Sequence, residues 1–378
     1  MGNHALLSAS SSQRWMNCPP SARLCEHYED KGSSYAAEGT AAHELAEYKL
    51  KAALGIPAKD PTEDLNYYDS EMEACADSYA AYILELLSVV KESCPDPLVL
   101  TEQRVDFSKY VPEGFGTCDC VIVADDELIV IDFKYGRGVQ VEAEDNSQMR
   151  LYALGALEMF GSLYDIQTVD VVIYQPRRDN VSSETLTKET LLQWADETLK
   201  PAAELAFNGK GEFKCGDWCQ FCKAKAECRK RAEENMALAR YDFADPALLE
   251  NDEIADILGK VDELVSWASD IKDYALAEAL KGVKFDGFKI VEGRSNRRYT
   301  DETAVAETVT AQGVDPYEHK ILGITAMEKL LTKKRFAELL DELVEKPAGK
   351  PTLVPESDKR QKLSITTAAD DFADPFEN

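Results

Sequence analysis

Hydrophobic and polar positions alternate most sharply between Gly116 and Lys134, GTCDCVIVADDELIVIDFK. Period-two alternation predicts two strands, TCDCVIV and LIVIDFK, joined at Asp125-Asp126. Thr117, Asp119, Val121 and Val123 are expected on one face of the first. In the second, Leu128, Val130, Asp132 and Lys134 share one face and Ile129, Ile131 and Phe133 the other. A two-residue turn makes paired positions sum to 251 and sets Asp119 opposite Asp132. A longer turn would slip the register by one and turn the two aspartates to opposite faces.

Elsewhere helical periods alternate with strand periods. SASSSQRWMNCPPSARLCEHY (8–28) reads as a capped helix broken at Cys18-Pro19-Pro20. A helix over about 34–54 stops at Gly55 and Pro57. Apolar residues from Tyr68 to Val90 recur at helical spacing. LVLTEQRV (98–105) and TVDVVIYQPR (168–177) read as strands, the second mostly apolar and interior. Asn146 caps a helix carrying Gln148 and Tyr152 on one face, and another helix covers about 189–207.

Beyond residue 230, Ile254, Leu258, Val261, Val265 and Ile271 mark one long amphipathic helix of near-heptad spacing. KFDGFKIVEGRSNRRYT (284–300) reads as a small β-hairpin turning at Asp286-Gly287, and Thr325-x-x-Glu328 as a capping box. From Lys346 the chain reads as an extended tail. The pattern predicts an α/β fold, a central mixed β-sheet flanked by helices with a mostly helical C-terminal extension. The expected divisions are 1–232, 233–345 and 346–378.

Of the 378 residues, 44% are hydrophobic and 30% charged, as in a water-soluble globular chain. With no run of about 18 apolar residues, no membrane span is expected. MGNHALLSASSSQRW lacks the apolar core of a secretory signal, which makes the cytoplasm the expected location. A net charge of −28 excludes a histone-like, purely electrostatic DNA binder, but leaves room for a local basic groove. Of the ten cysteines, four crowd into CGDWCQFCKAKAEC, as Cys215, Cys219, Cys222 and Cys228. In a reducing compartment that spacing reads as metal or cluster ligation rather than a disulfide framework.

The candidate chemistry sits on the central hairpin. Two carboxylates opposed across a strand pair repel, and Asp119 and Asp132 beside Lys134 ask for a compensating hard cation such as Mg²⁺ or Mn²⁺. On the 34–54 helix, HELAE lacks the second histidine of a zinc protease, since Glu47 stands there. His43 reads either as a site residue or as a surface histidine paired with Glu47. Arg177 and Arg178 end a strand, as phosphate contacts or as an ordinary solvated end. Lys289, Arg294, Arg297 and Arg298 with Tyr299 form the most basic patch, a candidate DNA contact.

Gly116-x-x-Asp119, Asp132-x-Lys134 and Gln148-x-x-x-Tyr152 follow one another in an order that resembles the PD-(D/E)xK nuclease superfamily. Over residues 14–230 the chain is similar to its RecB-like branch, which includes the CRISPR-associated iron–sulfur exonucleases, and Gly39-x-x-x-His43 matches the motif preceding that core. The resemblance implies a restriction-endonuclease-like fold and a Mg²⁺- or Mn²⁺-dependent DNA exonuclease leaving 5′-phosphate ends. It implies metal ligation by His43, Asp119, Asp132 and the Phe133 carbonyl. Lys134 would orient water and stabilise charge, Gln148 and Tyr152 would position the scissile strand or the lysine, and Glu102 would support.

Cys219-x2-Cys222-x5-Cys228 with Cys18 resembles the [4Fe–4S] staple of the same enzymes. A local Zn²⁺ site of Cys215, Cys219, Cys222 and Cys228 is the alternative. In the first case Cys215 is a spare thiol, and Cys25, Cys75, Cys94, Cys118 and Cys120 are core or surface residues. The overall layout also resembles a phage-borne domain-of-unknown-function family. Its members look like exonucleases of phage recombination working beside a single-strand annealing protein, which implies DNA as partner and a bacterial host cytoplasm. A catalytically weak DNA-binding or scaffold protein of the same fold is the competing expectation.

Overall fold

The computed structural model describes residues 5–29, 32–237, 249–293, 299–317, 320–345, 352–354 and 360–361. Its centre is one five-stranded sheet in the order β1 (Leu98–Asp106), β2 (Phe115–Val123), β3 (Glu127–Phe133), β4 (Thr168–Gln175) and β5 (Asn180–Thr187). β3 and β4 run parallel and the other neighbours antiparallel, so the sheet is mixed as expected. The β2–β3 pairs Cys120–Ile131 to Val123–Leu128 hold the two-residue-turn register, closed by Ala124 N–H donating to Glu127 O at 2.9 Å. β5 has no counterpart in the sequence pattern. As an edge strand reading NVSSETLT it buries only Leu186 and shows almost no apolar alternation.

Each sheet face takes one helical layer. α3 (Ser34–Ala53) and α4 (Ser70–Ser93) share a buried cluster with Ile122, Ile129, Ile131 and Phe133. The parallel β3–β4 pair needs a crossover, and α5 (Ser147–Phe160) supplies it. Leu151, Leu154 and Leu157 of α5 share the opposite core with Val105, Val121, Val130 and Ile173. Asn146 caps α5, its side chain accepting from Gln148 N–H at 3.0 Å and Met149 N–H at 3.3 Å, a contribution of about 1 kcal/mol. Gly155 lets α5 approach closely, since a Cβ there would stand 2.8 Å from the Val105 Cβ.

The N-terminal segment forms α1 (Ser12–Asn17) and α2 (Ser21–Cys25), separated at Cys18-Pro19-Pro20. The expected 189–207 helix is α6 (Lys188–Trp194) and α7 (Lys200–Phe207) joined by a π turn over Ala195–Leu199. Pro201, early in α7, has no N–H to return to that turn. Arg23 of α2 holds the two regions together, donating from Nε to Phe207 O at 2.7 Å.

The C-terminal half departs from the pattern in three ways. By contact the chain divides into two compact units, residues 1–283 and 284–378. Arg231 of α8 (Arg229–Met236) forms ion pairs with Glu263 and Asp270, which keeps this region in the first unit. The long amphipathic helix is two, α9 (Asn251–Leu258) and α10 (Val261–Leu280), broken at Gly259. Residues 284–293 and 299–300 contain no strand. The Asp286-Gly287 turn does form, with Gly287 at φ 82° and Phe288 N–H donating to Phe285 O at 3.1 Å. Phe288, Ile290 and Val291 lie exposed, and a two-stranded ribbon without a covering layer is marginal in water.

The second unit contains α11 (Glu302–Thr310), α12 (Ile324–Leu331) and α13 (Lys333–Leu340). Gly323 is the N-cap of α12, so Thr325 lies inside the helix rather than capping it. Arg294, Arg297 and Arg298, and nearly all of the 346–378 tail, lie outside the described residues. No described helix is long and apolar enough to cross a membrane.

Candidate functional site

The strict alternation expected of β2 fails at one position. Val121 and Val123 belong to the α5-side core and Cys120 and Ile122 to the α3/α4-side core, yet Cys118 lies on the α5 side as well. The face therefore switches around Asp119. Its opposite number on β1 is Glu102, at φ 46°, and the ladder skips this pair while keeping its register on both sides. Left-handed backbone at a non-glycine residue is strained and is held by its surroundings. The result frees both carboxylates from the pleat.

Asp119 reaches two elements. Its Oδ1 lies 3.1 Å from His43 Nδ1 on α3, and its Oδ2 accepts the Phe133 N–H at 2.7 Å. The donor atoms of His43, Glu102 and Asp119 all lie within 4.8 Å of one another, the one such group among the described residues. His43 thus faces Asp119 rather than Glu47, which pairs with Lys51. Glu102 joins the cluster more directly than a supporting role would require.

Asp132 is 4% exposed and faces α5. Lys134 Nζ is 2.9 Å from its Oδ2 and donates to Gln148 Oε1 at 3.0 Å. Gln148 Nε2 donates to Asp132 Oδ1 at 3.1 Å and to Tyr152 Oη at 3.2 Å. Despite the nearby ammonium, Asp132 Oδ2 has no hydrogen-bond partner of proper direction among the described residues. Tyr152 in turn accounts for Gly116, where a Cβ would stand 2.6 Å from the Tyr152 ring. All five residues expected to carry catalysis, Asp119, Asp132, Lys134, Gln148 and Tyr152, meet at one end of the sheet.

The electrostatics follow from this crowding. Burial raises the Asp132 carboxyl above the usual range, Lys134 opposes that, and Asp119 adds to it. Burial, then Asp119, pushes Glu102 up to about 7. Burial alone would lower the His43 pKa, but the Asp119 carboxylate more than reverses this and raises it to about 9. A raised folded-state pKa contributes stability that is fully present below the ordinary value of 6.5 and lost as the pH rises through about 9. In metal-free protein the His43 imidazole resonances are therefore expected to titrate near pH 9. A midpoint at or below the ordinary value would mean that Asp119 does not hold this ring.

The strand-end arginines are occupied. Arg177 stacks on Tyr135 and pairs with Glu38 at 2.9 Å and Glu71 at 3.2 Å, its side chain only 13% exposed. Arg178 donates to Arg137 O at 2.6 Å. Gln175 is buried and pins the segment after Lys134, donating to Gly136 O and Val139 O at 2.8 Å each. Here the QPR strand end shapes the protein's own loop.

A second constellation lies among α1, α2 and α8. Cys18, Cys219, Cys222 and Cys228 line one cavity with Arg14 and Arg231. Cys215 is not part of that lining. No three described cysteine sulfurs lie within 4.8 Å of one another, whereas tetrahedral Zn²⁺ would hold thiolates about 3.8 Å apart. Sequence reasoning missed Cys25, whose Sγ is 3.7 Å from that of Cys222 and accepts from Arg14 Nη1 at 3.3 Å. Only its place seven residues after Cys18 hinted at this.

Fold and site together define a mixed-sheet α/β protein with a histidine–carboxylate–lysine cluster at one sheet end and a separate cysteine-lined cavity. Over residues 4–361 the chain matches the family described as Protein of unknown function (DUF2800), and it belongs to that family. A solved structure titled "Crystal structure of SSO0001" is 17% identical, with 50% of this chain and 95% of that chain covered. Its TM-score of 0.23 is below what marks a shared fold.

Proposed function

We propose that this protein is a metal-dependent deoxyribonuclease, an exonuclease that hydrolyses phosphodiester bonds to leave 5′-phosphate ends. The observation that carries the reading is the His43–Glu102–Asp119 group beside the Asp132–Lys134–Gln148 network, where the buried Asp132 carboxylate faces Lys134 Nζ at 2.9 Å. The carboxylate and carbonyl oxygens in this arrangement suit Mg²⁺ or Mn²⁺. His43, Asp119 and Asp132 would hold the ion, with Glu102 beside them and the Phe133 carbonyl as a further oxygen. Bound there, the cation lowers the pKa of a water and neutralises charge on the phosphoryl group.

The protein's own groups do the rest. Lys134 presents a fixed ammonium between Asp132 and Gln148, where it can hold the attacking water and offset negative charge on the phosphate. Gln148 keeps that lysine from swinging away, and Tyr152 orients Gln148. The Phe133 N–H holds the Asp119 carboxylate in one orientation.

In this reading Cys18, Cys219, Cys222 and Cys228, which line one cavity, would hold a [4Fe–4S] cluster. There the cluster would tie the chain's start to the segment after the sheet. The substrate in this reading is DNA of phage or prophage recombination or end processing in a bacterial cytoplasm, with a single-strand annealing protein as partner.

The test is degradation of end-labelled linear DNA by anaerobically purified protein with Mg²⁺ or Mn²⁺. Metal-dependent release of 5′-phosphate nucleotides is the expected result. No cutting under either metal by iron-loaded protein would return the chain to the DNA-binding or scaffold reading.

A further inference from the structure

Arg231 is the most deeply buried charge among the described residues, at 0% exposure in the first turn of α8. Burying a guanidinium is costly unless its hydrogens are paired. Two of its nitrogens are served. Nε donates to Glu263 at 2.5 Å, while Nη1 donates to Asp270 at 2.5 Å and to Lys225 O at 3.3 Å. Nη2 is buried with no partner among the described residues. The same side chain lines the cavity formed by Cys18, Cys219, Cys222 and Cys228.

An orphaned donor on a buried cation that lines a cavity with four cysteines and no carboxylate implies an acceptor that the cavity holds. Thiolate-bound clusters are anionic, and their sulfurs accept hydrogen bonds that raise the reduction potential by stabilising the reduced form. Arg14 cannot do the same with Nη1, which already serves Ser21 and Cys25. We propose that Arg231 donates from Nη2 to a sulfur of the iron–sulfur cluster and is the link between that cluster and α10, through Glu263 and Asp270. Arg231 is thus a positioning and tuning residue, not a catalytic one. The inference rests on the cavity holding such a cluster.

Iron and sulfide analysis of anaerobically purified wild type reads that premise first, and absence of both overturns the premise and the proposal together. In Arg231→Lys, which keeps the charge for Glu263 and Asp270 but loses the forked donor, the cluster should still load. Its potential should fall by about 60 mV, a tenfold change in the one-electron equilibrium. A loaded variant with an unchanged potential would make Arg231 an ion-pair anchor only. Should the variant fail to fold, wild type grown with nitrogen-labelled arginine and reduced gives an independent readout. Hyperfine coupling between the cluster and an arginine nitrogen that persists in Arg14→Lys supports the donor, and absence of coupling in the wild type overturns it.

Discussion

Lys134→Ala should lower metal-dependent cleavage of linear DNA by about 100- to 1,000-fold, the usual loss when one fixed stabiliser of transition-state charge is removed. The fold should survive, because Lys134 follows the end of β3 and its side chain is 26% exposed, so truncation opens no core cavity. Divalent metal affinity should hold or rise. Without the ammonium 2.9 Å from Oδ2, the buried Asp132 carboxylate is left with a greater need for a cation. Cleavage kinetics and Mn²⁺ titration separate the two effects. A variant that still cuts within threefold of wild type would place the chemistry elsewhere.

Cys18→Ser should have the largest effect on stability. In the proposed staple Cys18 is joined to Cys219, Cys222 and Cys228, closing a loop of about 200 residues, and a cross-link of that span restricts the unfolded chain by up to about 5 kcal/mol. The measured loss should be smaller, since Arg23 still donates to Phe207 O and stacks on the Phe207 ring. Iron content should fall to near zero, with a lower urea midpoint under anaerobic conditions. Cleavage at low temperature should persist, because no cysteine of the cavity touches the Asp119–Asp132 network. If Cys18→Ser keeps its metal and its midpoint while Cys215→Ser loses both, the local zinc arrangement is correct.

Much of the site was legible because its spacing is dictated by backbone geometry. A two-residue turn can give only one register, and the ladder keeps it from Val123–Leu128 to Cys120–Ile131, one pair short of Asp119 and Asp132. An asparagine cap followed by Gln148 and Tyr152 leaves little freedom over where α5 starts or which side chains share a face. The face switch at Asp119 was not legible, because it depends on the left-handed backbone of Glu102 fifteen residues or more away on another strand. A local pattern carries no trace of it.

Other differences share a cause. β5 is polar because its exposed edge position places little demand on side chains, so no period betrays it. Arg177 reads as a free surface cation until Glu38 and Glu71 come into place from distant helices. Residues 284–293 carry a turn signal and β-branched residues, yet without a partner strand or covering layer those propensities do not make a sheet. Local chemistry is readable where neighbours in sequence decide the outcome. Long-range partners decide the rest.

The placement of the cavity cysteines also orders events during synthesis. All five strands end by Thr187, whereas Cys219, Cys222 and Cys228 come later. A growing chain therefore exposes a complete sheet, with Cys18 already present, before the cavity has its remaining walls. If the proposed cluster is present, its iron would be delivered to a chain whose sheet, with the proposed hydrolytic site, can already be assembled. On that proposal, iron starvation would shorten the lifetime of the protein and loosen its first helices, while the Asp119–Asp132 region could still form.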